Sequence, residues 1–163
     1  MKHHEIRDYY HKNSNKFLLP EAREAKHILI TINDDFEDNT RKNAFRRISA
    51  IERVLKKDPE LFEQEAAKHS ECPSALKGGD LGPVKRGTLF PAIEKALFTM
   101  KPFDISRIIE SDFGFHLIRC EKVHSSRILE FPEVKSLIRK NLKNKSRKRF
   151  VRNWLQQLQQ PEQ

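Results

Sequence analysis

With 163 residues, 37% of them hydrophobic, the chain has material for one modest core but not two, and no run nears the ~20 apolar residues of a membrane span. The N-terminal MKHHEIRDYYHKNSNKF has no apolar h-region and two cysteines make no disulfide framework, so a cytoplasmic, reducing compartment is expected unless the chain is a fragment of a longer protein. The net charge of +9 is local: Lys135–Arg152 carries nine Lys/Arg and no Asp/Glu, and the remainder balances 23 basic against 23 acidic residues.

In chain order, His4–Lys16 reads as a short polar helix with Tyr9, Tyr10 and Phe17 as its aromatics, ended by Pro20. Glu24–Ile32, rich in β-branched residues, predicts a strand. A polar turn, NDDFEDN, follows. Thr40–Lys57 has Ala44, Phe45, Ile48, Ile51, Val54 and Leu55 at helical spacing. Asp58-Pro59 has the form of an N-cap and first helical position. The helix it opens is expected to bury Leu61, Phe62, Ala66 and His69. His69–Phe98 then gathers four of the five glycines and three of the eight prolines, with a short strand at Leu81–Lys85 and a proline-started helix at Pro91–Met100. DISRIIES and FGFHLIRCEKV predict two strands joined by a tight turn at Asp112–Gly114, and a long helix runs from about Phe131 to Gln159. The order β-α-α-β-α-β-β, with a helix at either end, gives an α+β fold class: a small antiparallel or mixed sheet surrounded by helices. The expected organisation is an N-terminal helical segment over 1–20, a domain over 21–125 and a basic C-terminal helix over 126–163.

AKHILI, the loop HSECPSALKGGDLGPVKRGTLFPAIEKALF and DISRIIESDFGFHLIRCEKV, in that order and spacing, resemble the parvulin-type peptidyl-prolyl isomerases across about Ala25–Val123. HILITIN, CPSAL, FGFHLIRCE and the terminal NWLQQLQQ resemble more closely the NifM-type branch, which assists maturation of the nitrogenase iron protein and usually carries a helical region ahead of the domain. The resemblance implies isomerisation of X-Pro bonds in protein substrates, the nitrogenase iron protein among them for that branch. It implies no cofactor.

Alternation along strands puts His27 with Leu29, and His116 with Ile118 and Cys120, on shared faces. The family sets its two histidines side by side on adjacent strands. A satisfied core pair and a chemical pair are both compatible with that placement. Ser111 stands where the family usually has Thr and is positioned to bond the His116 ring. Cys72 matches the family's Cys/Asp position, either as a group near the substrate carbonyl or as a polar spacer. The implied catalytic set is therefore His27, Cys72, Ser111 and His116, and the implied proline-binding set is Leu89, Ile93, Phe98 and Phe113. Ile93 departs from a usual Phe, and Phe98 serves equally well as core. His27, Cys72, His116 and Cys120 match no zinc spacing.

The loop after the first strand carries four acids before Thr40, which opposes binding of a phosphate. In the last helix Val134, Leu137, Ile138 and Leu142 form one apolar stripe. Phe150, Val151, Trp154, Leu155 and Leu158 form a second, expected to cover Tyr9, Tyr10 and Phe17 or to meet an acidic partner. Nucleic-acid binding by the basic face is the rival reading, but no aromatic stacking platform accompanies it.

Overall fold

The computed structural model describes residues 3–158, with side chains for 4–152. In chain order the elements are α1 (His3–Lys12), β1 (Leu18–Leu19), β2 (Ala22–Thr31), α2 (Arg41–Lys57), α3 (Phe62–His69), β3 (Asp80–Lys85), α4 (Pro91–Leu97), β4 (Ile109–Ser111), β5 (Gly114–His124), β6 (Arg127–Ile128) and α5 (Phe131–Leu158). Among the described residues they form two compact units, Pro20–Ser125 and 3–19 with 126–158.

In the Pro20–Ser125 unit the strands make one antiparallel sheet in the order β3-β2-β5-β4. β2 and β5 are its centre, paired from Ala22↔His124 to Thr31↔Gly114. Alternation along these two strands builds two cores. On one face Ile28, Ile30, Phe115 and Leu117 pack with Ala44, Ile48, Ile51 and Leu55 of α2 and with Phe62 and Ala66 of α3. On the other, Ala25, Ile118 and Cys120 pack with Ile93, Leu97 and Phe98. Each large side chain removed from water contributes roughly 1.5–3 kcal/mol.

Several expectations change in detail. Phe45 is half exposed, because the seam of α2 runs through positions 44, 48, 51 and 55; its ring meets Phe115 edge-on at 5.3 Å. Asp58 does cap, accepting from the Glu60 N–H at 3.1 Å, but a 3-10 turn at Pro59–Leu61 precedes α3. His69 is not buried: it lies in the last turn of α3 with its side chain 37% exposed, 3.7 Å from Glu65. The expected strand DISRIIES shortens to β4, with one earlier bridge at Ile105↔Arg119.

The other unit joins α1 and α5 through Ile6, Phe17, Val134 and Ile138, with Tyr9, Tyr10, Leu129, Phe131 and Leu142 at its margin. β1 and β6 pair antiparallel, and Tyr10 donates its hydroxyl to the Leu129 carbonyl at 2.9 Å. The first stripe of the long helix covers the N-terminal aromatics, because residues 134, 138 and 142 recur at i+4 on one face. Leu137 lies off that face and is exposed. In the second stripe Phe150 and Val151 are exposed, and the side chains of Trp154, Leu155 and Leu158 lie outside the described residues. Among the described residues no helix is long and apolar enough to cross a membrane.

Candidate active site

The register of β2 on β5 places His27 opposite Ile118 and Leu29 opposite His116, so the two histidines are diagonal neighbours on one face. Their rings lie nearly parallel, 16° apart, and His27 Nε2 meets His116 Nδ1 at 2.8 Å. His116 Nε2 meets Ser111 Oγ at 2.6 Å, and that hydroxyl also accepts the Phe113 N–H at 3.2 Å. Burial, with the neighbouring imidazole, brings His27 down to about 4; burial brings His116 to about 4. Both rings are therefore neutral at pH 7, each with one N–H and one lone pair. The chain His27–His116–Ser111 then has two consistent arrangements, with the protons pointing one way or the other along it.

Gly114 makes this register possible. A Cβ there would overlap the Ile30 carbonyl oxygen, and its φ is +152°.

Cys72 arrives on the other side of β2. Where β3 leaves that edge, the Ser70–Gly79 loop takes it over. His27 N–H donates to Gly79 O at 2.9 Å, Glu71 N–H to Leu29 O at 2.8 Å, and Leu29 N–H to Ser70 Oγ at 3.1 Å. Pro73–Lys77 is a 3-10 turn, with Cys72 as its extended N-cap. A Cβ on Gly79 would stand 2.6 Å from the His27 carbonyl oxygen, at a φ of +85°. Cys72 Sγ accepts from Ser74 Oγ at 3.1 Å, and Cys72 N–H donates to Ser70 Oγ at 3.3 Å. No hydrogen bond joins Cys72 to either histidine.

Of the four apolar positions, Ile93 and Phe98 are taken up by the second core, because α4 lays that face on Ala25, Ile118 and Cys120. Leu89 is half-buried at the margin of that core. Phe113 is exposed and its ring lies 5.2 Å from that of Phe90, an aromatic the sequence reading passed over. Its signal in the sequence is an aromatic directly before a proline-started helix. Burial also raises the Cys120 thiol above its ordinary value, which marks it as a core residue. Both His116 ring nitrogens are engaged within the chain, and among the described residues no group of three or more His, Cys, Asp or Glu is placed to hold a metal ion.

A neutral, hydrogen-bonded pair beside apolar surface offers no charged acid or base.

The family model for the PPIC-type PPIASE domain, described as rotamase, matches residues 27–122 and so takes in both histidines, Cys72 and Ser111. The chain belongs to the PpiC-type rotamase family. Its relatives include proteins named NifM, classed by name with the peptidyl-prolyl cis-trans isomerases. That of Azotobacter chroococcum is 44% identical, over 93% of this chain and 52% of its own length. That of Azotobacter vinelandii is 43% identical, over 90% and 50%. The chain thus spans about half the length of these curated relatives. Among solved structures, a SurA-like chaperone of Campylobacter jejuni superposes with a TM-score of 0.68 at 25% identity, covering 100% of this chain and 64% of the other. The α+β arrangement is that of this PpiC-type family.

Proposed function

We propose that this chain is a peptidyl-prolyl cis-trans isomerase acting on X-Pro bonds of extended protein segments, with residues 21–125 as the isomerase domain and 1–20 and 126–163 as its flanking parts. The observation that carries this is the neutral His27–His116–Ser111 chain on the same sheet face as the apolar margin at Leu89. Rotation about the bond has a barrier of ~18–20 kcal/mol and breaks no covalent bond. The twisted amide loses resonance and charge separation, so removing the proline from water lowers the barrier. Leu89 and Phe113, with Phe90, supply the apolar surface, and Ile93 and Phe98 support it from beneath. His27, His116 and Ser111 keep the floor polar yet uncharged. Cys72 is assigned to the substrate carbonyl, where its sulfur disfavours the anionic resonance form. Asp34, Asp35, Glu37 and Asp38, all exposed, oppose a phosphate dianion, so plain X-Pro bonds are the substrates.

Resemblance to the NifM branch supports the nitrogenase iron protein as the natural substrate, and the free thiols Cys72 and Cys120 suit a cytoplasmic, reducing compartment. The likeness to a SurA-like chaperone supports a second reading, in which the fold holds chains with little catalysis.

Exchange NMR on a Ser-Pro peptide and its phosphoserine counterpart separates the two. The isomerase reading expects acceleration of the plain peptide, no advantage for the phosphopeptide, and a fall of about three- to tenfold in Cys72→Ala. No acceleration at high protein concentration would leave only the holding function.

A further inference from the structure

Glu71 stands directly before Cys72, and its carboxylate gathers an unusual number of donors. Oε2 accepts the Thr31 N–H at 2.7 Å, and it also accepts the Thr31 hydroxyl. Asn39 Nδ2 reaches both oxygens, at 2.9 and 3.1 Å, and Arg47 pairs with Oε1 at 2.8 Å. None of these partners lies in the Cys72 loop. Thr31 ends β2, Asn39 closes the acidic loop and Arg47 rises from α2. Burial alone would raise this carboxyl, but the bonds from Thr31, Asn39 and Arg47 outweigh it and hold it below the ordinary range.

The same residues fix the acidic loop. Asn39 Nδ2 also bonds the Thr31 carbonyl at 3.0 Å, and Asn33 N–H donates to Asn39 O at 2.8 Å. A solvated surface glutamate has no need of such partners. Here one carboxylate ties the loop that carries Cys72 to the loop that carries the four exposed acids, and both to the end of the histidine strand.

We propose that Glu71 is a positioning residue of this site, setting Cys72 relative to the histidine face and fixing the acidic loop against the Cys72 loop. Its effect on turnover rests on the isomerase reading; its effect on Cys72 does not. A thiol displaced by a fraction of an ångström acts on a different part of the rotating amide, and misplacements of that order are costly in rate. The clamp touches no substrate, so it acts on kcat more than on KM.

Glu71→Gln in the 163-residue chain keeps the shape and removes the charge. It is expected to lower kcat on a proline peptide about tenfold with KM within about twofold, and to speed alkylation of Cys72 by iodoacetamide at least about threefold. Cys120, buried in the core, stays unmodified in the folded chain. Arg47→Met is expected to shift both readouts the same way and less, and to add little to Glu71→Gln, since the two share one interaction. An unchanged alkylation rate overturns the proposal whether or not the chain isomerises proline. Faster alkylation in a chain whose parent is inactive upholds the clamp and overturns the isomerase reading alone. Faster alkylation with unchanged kcat in an active chain overturns the catalytic half. Should Glu71→Gln fail to fold, Asn39→Ala, which removes two of the bonds, carries the same readouts.

Discussion

The two faces of the central sheet come from the same strands and do different work. On the α2–α3 face the central residues Ile28, Ile30, Phe115 and Leu117 are apolar and buried, and a buried charge enters only at the Lys26–Arg119 end, where Arg119 bonds the Pro59 carbonyl and Glu60. On the α4 face the apolar set stops at Ala25, Ile118 and Cys120, and the next positions along are His27 and His116. Because neighbouring residues point to opposite sides, one face can carry stability while the other carries polar groups that a core would not tolerate unpaired. The paired rings and Ser111 satisfy each other, which keeps the cost of placing them there low.

The largest expected effect breaks the packed face. Phe115→Ala removes a 2% exposed ring from the centre of that core and should lower stability by about 3–5 kcal/mol in urea unfolding. A loss below about 1 kcal/mol would mean that the two faces do not divide the work in this way.

The next effect belongs to the polar face alone. Folded His27 and His116 titrate near 4, whereas an unfolded histidine titrates near 6.5. Between those values the unfolded chain binds more protons, so stability is complete above about 6.5 and falls as the pH drops towards 4. Both imidazoles contribute to that fall, since burial disfavours the charged form of each. Glu71 and Glu63, held below their ordinary values, add to the loss only at the acid end. Unfolding curves at pH 7, 6 and 5, with imidazole titration by NMR, measure it. Equal stability at all three would show that the pair is solvated.

The smallest effect sharpens the contrast. Ser111→Ala removes one bond to His116 and one from the Phe113 N–H, at a half-buried position. It should cost about 1 kcal/mol and a few-fold in isomerisation rate, leaving the packed face unaltered.

The sequence carried much of the fold because the packed face is periodic. Ala44, Ile48, Ile51 and Leu55 announce a helix, and alternation puts His27 and His116 on matching faces. The placement of the candidate site was legible through the family resemblance and that alternation together. What escaped reading has no period. β1 and β6 are two residues each and depend on pairing across more than a hundred positions. The strand before Ser111 is short because most of its length makes only one bridge to β5. Glu71 looked like any surface acid, since its partners Thr31, Asn39 and Arg47 meet only after β2, the acidic loop and α2 are in place.

The Ser70–Gly79 loop has both ends fastened to one edge of one strand, through Glu71 to Leu29 and through Gly79 to His27. Its two ends are therefore held by the backbone of the histidine strand rather than by the side chains between them. Position 79 is the one that this fastening ties to glycine, since any side chain there would be driven into the His27 carbonyl. Under the proposed isomerase function, substitutions within Pro73–Lys77 are the ones expected to alter substrate choice with both fastenings kept.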